Sequence, residues 1–383
     1  MNRRGEAIAI LRDLVAFPTV SSDSNADCID WIAARLAPLG ARITLSSDTL
    51  GKANLFATIG PDVPGGLVLS GHTDVVPVEG QDWTSDPFTL VERGGRLFGR
   101  GTCDMKGFIA CCLASAPDWA AADLARPVHF AFTYDEEVGC LGARVMLDRM
   151  MADGLRPGAA IIGEPTEMRI IEGHKGCCEY TMEFRGVEGH SSLPDAGVNA
   201  LDHAVRYAAR LMELRADLPA RAPADSRFDP PHTTLSLGQL DAGVAHNVIP
   251  NHARLAWEMR PVQQSDRDYV RAAIESFARD VLAPEMAARN PAAGLEEVFA
   301  SEVAGLEPAD SAAVAVVRAL TGRNETEVVS FGTEAGLFQQ AGVSAVICGP
   351  GSILQAHKPD EFVAVSELDA CLAMLGRVSD HLS

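Results

Sequence analysis

The stretch Val128-His-Phe-Ala-Phe-Thr-Tyr-Asp-Glu-Glu137 places a mostly apolar run just before three acidic residues. A short, continuous apolar run indicates a strand buried on both faces, as in a parallel sheet. Similar runs occur at 67–70, 159–162 and 343–348, and 107–116 has the small, apolar character of a helix packed on a sheet. Strands that alternate with helices predict an α/β domain, in which a mostly parallel central sheet is flanked by helices.

The pattern changes after about residue 175. Three segments then alternate polar and apolar residues, which is typical of antiparallel strands covered on one face. They lie at 180–184, 233–239 and 253–259, with amphipathic helices at 199–214 and 268–281. The sequence therefore predicts a catalytic domain of residues 1–174 and 287–383, interrupted by an inserted α+β domain of residues 175–286 with an antiparallel sheet.

The composition excludes several classes of protein. The net charge is −20, from 52 acidic and 32 basic residues, and Lys and Arg form no run, so neither nucleic acid nor an anionic membrane is an expected partner. The start, Met1-Asn-Arg-Arg4, is followed by an amphipathic pattern without the apolar core of a secretory signal. Nine cysteines without a Cys-x-x-Cys motif are expected to be reduced, which together favours a cytoplasmic protein.

Six residues in short, unusual settings carry the candidate chemistry. Two of them are histidines and four are carboxylates, the ligand set of a divalent transition metal and of zinc above all. The six are His72, Asp104, Glu136, Glu137, Glu164 and His357. Four of them follow or end predicted buried strands, and sites in such sheets form at the carboxyl ends of the strands. Together they indicate a hydrolase with two metals.

Each setting also has an ordinary explanation when it is taken singly. The His72-Thr-Asp74 segment fits a simple turn, Asp104 fits a helix N-cap, and a lone His357 fits a structural role. The pair Glu136-Glu137 fits an exposed acidic loop. However, two carboxylates after a buried strand repel each other unless cations are present. One of the pair could then bind metal and the other serve as a general base, while Asp74 could fix the ring of His72.

These settings resemble the dinuclear zinc amidohydrolases, the family that includes acetylornithine deacetylase, succinyl-diaminopimelate desuccinylase, aminoacylase and a glutamate-releasing carboxypeptidase. The resemblance covers essentially the whole chain. It implies that His72, Asp104 and Glu164 hold one metal, and that Asp104, Glu137 and His357 hold the other. It further implies Glu136 as general base and Asp74 as the partner of a ligand. The metals would be two Zn²⁺ ions, with Co²⁺ as an alternative.

Three stretches are most similar to the acetylornithine deacetylase branch of this family. They are Gly163-Glu-Pro-Thr166 with His174-Lys-Gly176, Ser330-Phe-Gly-Thr-Glu-Ala-Gly336, and Cys348-Gly-Pro-Gly-Ser352 with Gln355-Ala-His-Lys-Pro-Asp-Glu361. This likeness implies hydrolysis of the acetyl amide of N2-acetyl-L-ornithine in arginine biosynthesis, by hydroxide bridging the two metals. Desuccinylation or broader N-acyl amino acid hydrolysis is the alternative. A further alternative is an inactive protein that binds metal and serves in interactions. The presence of the candidate base Glu136 argues against it.

The remaining candidate residues concern the substrate and the oligomer. Arg260 lies at the end of a predicted strand, and its guanidinium group is a candidate for bidentate binding of a substrate carboxylate. Asn247, Gly351 and Ser352 are further candidate substrate-binding groups. The resemblance implies that His190 donates to the reaction centre of a neighbouring subunit. The inserted domain is therefore expected to serve as a lid and as the dimerisation domain of a homodimer.

Overall fold

The computed structural model describes residues 3–47, 51–309 and 311–383. Met1 and Asn2, on which the expectation about a secretory signal partly rests, lie outside these ranges. The described residues form two compact units. The first contains the chain up to Gly173 together with Pro308–Val328 and Thr333–Ser383, and the second contains His174–Glu307 with Val329–Gly332.

Fifteen strands are described. They are β1 Arg42–Ser47, β2 Ala53–Ile59, β3 Leu67–His72, β4 Val91–Arg93, β5 Arg96–Phe98, β6 Val128–Thr133, β7 Ala159–Pro165, β8 Ile170–His174, β9 Cys177–Arg185, β10 Thr234–Ala242, β11 His252–Arg260, β12 Gly294–Val303, β13 Thr326–Val329, β14 Ser344–Gly349 and β15 Phe362–Ala364.

Eleven α-helices are described. They are α1 Arg3–Val15, α2 Ala26–Leu36, α3 Lys106–Ala121, α4 Leu141–Ala152, α5 Ala200–Asp217, α6 Gln264–Phe277, α7 Ala283–Arg289, α8 Ala312–Thr321, α9 Ala335–Gln340, α10 Val365–Leu375 and α11 Val378–Leu382. In the parts of the chain that the structure covers, no helix combines the length and apolar character needed to cross a bilayer.

The first unit is built on an eight-stranded sheet in the order β1-β2-β6-β3-β7-β14-β8-β13. Its centre, from β6 to β14, is parallel. On one side β2 and β1 continue the sheet in antiparallel pairing, and on the other side β8 pairs antiparallel with β14. The α/β prediction with a mostly parallel sheet is confirmed, with antiparallel strands added at its edges.

The parallel centre determines where polar side chains collect. Strands β3, β6 and β7 run in the same direction, so their carboxyl ends lie at one edge of the sheet. His72 is the last residue of β3, Glu164 is the second-last residue of β7, and Glu136 follows β6. The backbone pairing therefore brings these side chains to the same edge.

Helix α3 packs closely on this sheet because a glycine of β7 leaves room for a side chain of the helix. It is buried from Lys106 to Ala116, and Phe108 lies directly over Gly163 of β7. A Cβ atom at Gly163 would lie 2.0 Å from ring atoms of Phe108. Only glycine fits between the helix and the strand at this point, one residue before Glu164.

The second unit contains an antiparallel sheet in the order β10-β11-β9-β12. Helix α5 packs on β9, β10 and β11, and α6 packs against α5. Tyr180 and Trp257 stack in its core with ring centroids 4.3 Å apart. This is the α+β architecture that alternation along the sequence predicted.

Strand β12 was not predicted from the sequence, and it extends the second unit beyond the predicted boundary at residue 286. It pairs with β9 over Gly294–Val303, but the register shifts between Glu297 and Phe299. Half of its residues are exposed. The bulge breaks the alternation of apolar and polar residues, so the strand leaves no periodic signal. All nine cysteines are free thiols, in agreement with the expectation from their spacing.

Replacing Gly163 by Ala should destabilise the first unit. The added methyl group would overlap Phe108, and overpacking of a close-packed core costs about 1–3 kcal/mol. Gly5→Ala is the control, because nothing lies within 4 Å of a Cβ at that helical position. Chemical denaturation should show a lower midpoint for Gly163→Ala alone. Equal midpoints for the two variants would contradict the close contact between α3 and β7.

Candidate metal centre

His72 presents one ring nitrogen to the edge of the sheet and anchors the other. Its Nδ1 lies 2.8 Å from the main-chain oxygen of Asp74, which can only accept a hydrogen bond. Nδ1 therefore carries a proton and donates it to this oxygen. The second nitrogen, Nε2, faces carboxylates, at 2.9 Å from Asp104 and 3.8 Å from Glu164. This is the orientation of a metal-ligating histidine.

Asp104 lies between the two histidines. Its Oδ1 is 2.9 Å from Nε2 of His72, and its Oδ2 is 3.3 Å from Nε2 of His357. Helix α3 begins at Lys106 after Met105 without a side-chain cap. The carboxylate therefore does not cap the helix, which was the ordinary explanation, and each of its oxygens faces a different imidazole.

The two adjacent glutamates point to different partners. Glu137 lies 3.0 Å from Nε2 of His357. Glu136 accepts a weak contact from the thiol of Cys140, at 3.6 Å between Sγ and Oε1. The two side chains therefore diverge: Glu137 contacts His357, whereas Glu136 lies on the side of His72 and Glu164.

The possible donor atoms lie close enough together to hold metal ions. Two bonds of about 2.1 Å at a tetrahedral angle hold donor atoms about 3.4 Å apart. Two groups of three donors have all their ligand atoms within 4.8 Å of one another, namely His72 with Glu136 and Glu164, and His72 with Asp104 and Glu137. Imidazole and carboxylate donors suit Zn²⁺ and related divalent ions. The residues present therefore fit a metal centre.

The charges in this centre call for cations. Burial raises the pKa of Glu164 well above its usual range, and the charge on Asp104 raises it further. Burial likewise raises the pKa values of Glu136 and Glu137, and neighbouring carboxylates add to both shifts. Although burial opposes it, hydrogen bonds from His357 and His72 hold the pKa of Asp104 below its usual range. Without metal these carboxylates remain ionised only at a cost in free energy.

The loop that carries Glu136 and Glu137 is fixed by its backbone. The carboxylate of Asp74 accepts hydrogen bonds from the amides of Glu136 and Glu137, at 3.1 and 3.3 Å. Asp135, which precedes them, forms a buried ion pair with Lys52, with 2.6 Å between Nζ and Oδ2. Asp74 thus connects the end of β3 to the loop after β6.

The amino-acid sequence matches Peptidase family M20/M25/M40 over residues 68–381, most of the chain. The chain belongs to this family. Acetylornithine deacetylase of Photorhabdus laumondii is 37% identical over 383 residues, which cover 98% of this chain and 96% of that protein. Acetylornithine deacetylase of Myxococcus xanthus is 37% identical over 379 residues, which cover 97% of this chain and 96% of that protein.

Solved structures of the peptidase family share the fold. Aminopeptidase PepT from Bacillus cereus has a TM-score of 0.73 at 17% identity, covering 99% of this chain and 98% of that one. An M20 metallo-carboxypeptidase from Sulfolobus solfataricus has a TM-score of 0.72 at 16% identity, with 98% of each chain covered. Membership of the family confirms the prediction of a metal-dependent hydrolase, an enzyme that acts on small molecules.

Sequence reasoning missed a carboxylate that supports the centre of this peptidase-family enzyme. The side chain of Glu361 is fully buried and accepts hydrogen bonds from the amides of Gly101, Cys103 and Asp104, at 3.0, 2.9 and 3.1 Å. It also pairs with Arg100 at 2.8 Å. A carboxylate in a polar segment looks like a solvated charge, so only its position shortly after His357 could have drawn notice to it.

A second buried carboxylate, that of Glu334, contacts β3 and β6. Glu334 accepts hydrogen bonds from the hydroxyls of Thr133 and Ser70, at 2.5 and 3.2 Å. Burial raises its pKa to about 7. It connects β6 and β3, the strands that lead to Glu136 and His72.

The predicted substrate-binding and donor residues divide between the two units. In the first unit, Gly351 has a φ of 95° and Ser352 accepts a contact from the Cys103 thiol at 3.2 Å. In the second unit His190 forms a bridge with Val248, next to Asn247.

Arg260, the remaining substrate-binding candidate, ends β11 in the second unit. Its guanidinium group is paired with Glu258 at 3.0 Å. Its charge is therefore already matched by one carboxylate within this unit.

The metal-free enzyme should hold protons that metal must displace. The pKa of His72 stands well above its usual range, because the hydrogen bonds with Asp104 and Asp74 outweigh the effect of burial. The pKa values of Glu136, Glu137 and Glu164 are raised as well. A raised pKa favours the protonated form of each group, whereas metal binds the deprotonated ligands.

Zn²⁺ binding at pH 7 is therefore expected to release protons, and the affinity should fall as the pH is lowered. Calorimetric titration in two buffers that differ in ionisation enthalpy measures this release directly. Asp104 and Asp74 have lowered pKa values and should contribute no protons. Identical heats in both buffers would count against the assignment of these residues as ligands.

Proposed function

We propose that this enzyme hydrolyses the acetyl amide of N2-acetyl-L-ornithine to acetate and L-ornithine. The observation that carries the proposal is the match along nearly the whole chain to relatives named acetylornithine deacetylase, at 36–37% identity. The described metal centre supplies the chemistry that such a reaction requires. A peptide or a longer acyl substrate has no comparable support among these relatives.

The centre is proposed to hold two divalent metal ions, Zn²⁺ or Co²⁺. His72, Glu164 and Asp104 would hold one, and Glu137, His357 and Asp104 the other. When bound, such a pair would polarise the amide carbonyl and lower the pKa of a water molecule. The opposite directions of the two Asp104 oxygens support this assignment, because each faces a different histidine.

Glu136 is proposed as the general base. Its raised pKa suits a carboxylate that takes a proton from the attacking water and later gives it to the leaving α-amine. The C–N bond of the amide breaks as this proton is transferred, so acetate and the free amine are formed. Asp74 would keep Glu136 in place through the amide of that residue.

His190 is proposed to donate a hydrogen bond to the oxyanion of the tetrahedral intermediate. Its Nδ1 lies 3.2 Å from the amide nitrogen of Ser192, which can only donate to it. In the neutral ring the proton therefore lies on Nε2, and the imidazole is exposed. These features suit a donor supplied to the site of a partner subunit, in a homodimer formed through the second unit.

The substrate carboxylate is proposed to bind Arg260, with Asn247 and the backbone of Gly351 and Ser352 as further contacts. Arg260 would exchange its pairing with Glu258 for the substrate. The second unit would act as a lid that excludes water. We further propose a cytoplasmic enzyme without nucleic-acid or membrane partners, which agrees with the net charge of −20.

A hydrolysis panel tests the function. With Zn²⁺ or Co²⁺ present, N2-acetyl-L-ornithine should give a higher kcat/KM than N-succinyl-diaminopimelate or other N-acetyl amino acids. Glu136→Gln should lower kcat by about 10²–10⁴, the usual contribution of a general base, and keep its metal. Glu92→Gln, at an exposed glutamate of β4, is the matched control and should retain full activity.

Two results would decide against these assignments. Preferred hydrolysis of the succinyl substrate would replace deacetylation by desuccinylation. Near-normal turnover by Glu136→Gln would remove this residue from the role of base.

Mixing variants tests the role of His190. His190→Ala should bind metal normally and lose catalysis, because its effect is confined to the transition state. Mixed with Glu136→Gln, it should regain activity, since half of the sites in each heterodimer would combine an intact Glu136 with an intact His190. Subunit exchange is verified by mass spectrometry of differently tagged chains. If exchange occurs and no activity returns, His190 does not act across the interface.

A further inference from the structure

His357 has an unfavourable backbone conformation. Its φ is 63°, in the left-handed region that residues other than glycine seldom adopt. This conformation directs the ring so that Nε2 lies 3.0 Å from Glu137 and 3.3 Å from Asp104. Such a conformation persists only where the surrounding structure holds it. The contacts around the main chain of His357 therefore determine where its ring lies.

Gln81 makes one of these contacts. Its Nε2 donates a hydrogen bond to the main-chain oxygen of His357 at 3.0 Å. Its Oε1 accepts hydrogen bonds from the guanidinium group of Arg100 at 2.5 Å and from the indole of Trp83 at 3.1 Å. Two donors on the oxygen fix the orientation of the amide, so the NH₂ group must face His357.

Arg100 connects Gln81 to the loop of the second ligand. Its side chain is 1% exposed, and it pairs with Glu361 at 2.8 Å. The same Glu361 carboxylate accepts the amides of Gly101, Cys103 and Asp104. A continuous series of charged and polar contacts thus runs from the main chain of His357 to the main chain of Asp104.

We propose that Gln81, Arg100 and Glu361 are positioning residues for the metal centre. Gln81 holds the backbone of His357 and thereby sets the affinity of the metal position that His357 completes. Glu361 holds the loop of Asp104, which faces both histidines. The proposal rests on the proposed pair of metal ions, and no atom of Gln81 needs to contact a metal or the substrate.

The substitution Gln81→Glu tests the proposal, because the two explanations predict opposite changes in metal affinity. Glutamate keeps the acceptor for Arg100 and Trp83, and it loses the donor to His357. An added negative charge near the centre would by itself strengthen cation binding. If the hydrogen bond positions His357, one of the two metals should instead bind more weakly, by about 10–100-fold.

The measurement is a Zn²⁺ titration of the metal-free protein by calorimetry, with metal content after dialysis as a second readout. Gln81→Glu should lose one metal and keep the other. Glu361→Gln should weaken both, because Asp104 faces both histidines. Gln263→Glu, a part-buried glutamine of the second unit that donates to Asp266 and Arg221, is the matched control. It should lower stability without changing metal binding.

The outcomes separate this proposal from the proposed function. A wild-type protein that binds a single metal would refute the dinuclear centre itself. If the wild type binds two metals and folded Gln81→Glu binds both with unchanged affinity, the positioning role is wrong. Equal weakening of the binding of both metals in Gln81→Glu would also overturn it. That result would indicate that Gln81 stabilises the whole centre and not the position of His357. Gln81→Leu, which lacks the added charge, should reproduce the loss of one metal.

Discussion

The first unit concentrates more negative charge in one buried place than protein groups alone can balance. Asp104, Glu136, Glu137 and Glu164 meet at one edge of the sheet, and the raised pKa values of the three glutamates reflect the free energy of keeping them ionised there. The two nearby imidazoles cannot neutralise four carboxylates. Bound divalent cations would resolve this conflict, and the fold can be understood as a scaffold for such a centre.

The loops that carry three of these carboxylates are held in place by hydrogen bonds to their main chain, and not by contacts to the carboxylates themselves. Asp74 accepts the amides of the Glu136–Glu137 loop, and Glu361 accepts amides of the loop that carries Asp104. Each of these carboxylates is itself buried and satisfied by N–H groups. Binding the main chain leaves the ligand side chains available for metal, and this is why the supporting residues are acidic in an already acidic site.

Much of this arrangement could be predicted from the sequence because its signals are local. The central strands are continuous apolar runs, and four of the six candidate residues end or follow them. The Glu136–Glu137 pair, for example, comes shortly after the apolar run of β6. The supporting contacts are not local. Arg100 and Glu361 meet only through the fold, and β12 contains a bulge that removes its alternation. Long-range pairing and irregular strands leave no pattern in a single sequence, so these features required the structure.

The two compact units carry different sets of candidate residues. All the candidate metal ligands belong to the first unit, whereas His190, Asn247 and Arg260 belong to the second. Substitutions at the candidate substrate contacts of the second unit can therefore accumulate while the candidate metal ligands stay intact. The other candidate contacts, Gly351 and Ser352, share the first unit with those ligands. A chain divided in this way can change its substrate over evolutionary time without first losing the capacity to hydrolyse an amide. The candidate substrate contacts of the second unit are therefore also the first positions to vary when a new specificity is engineered.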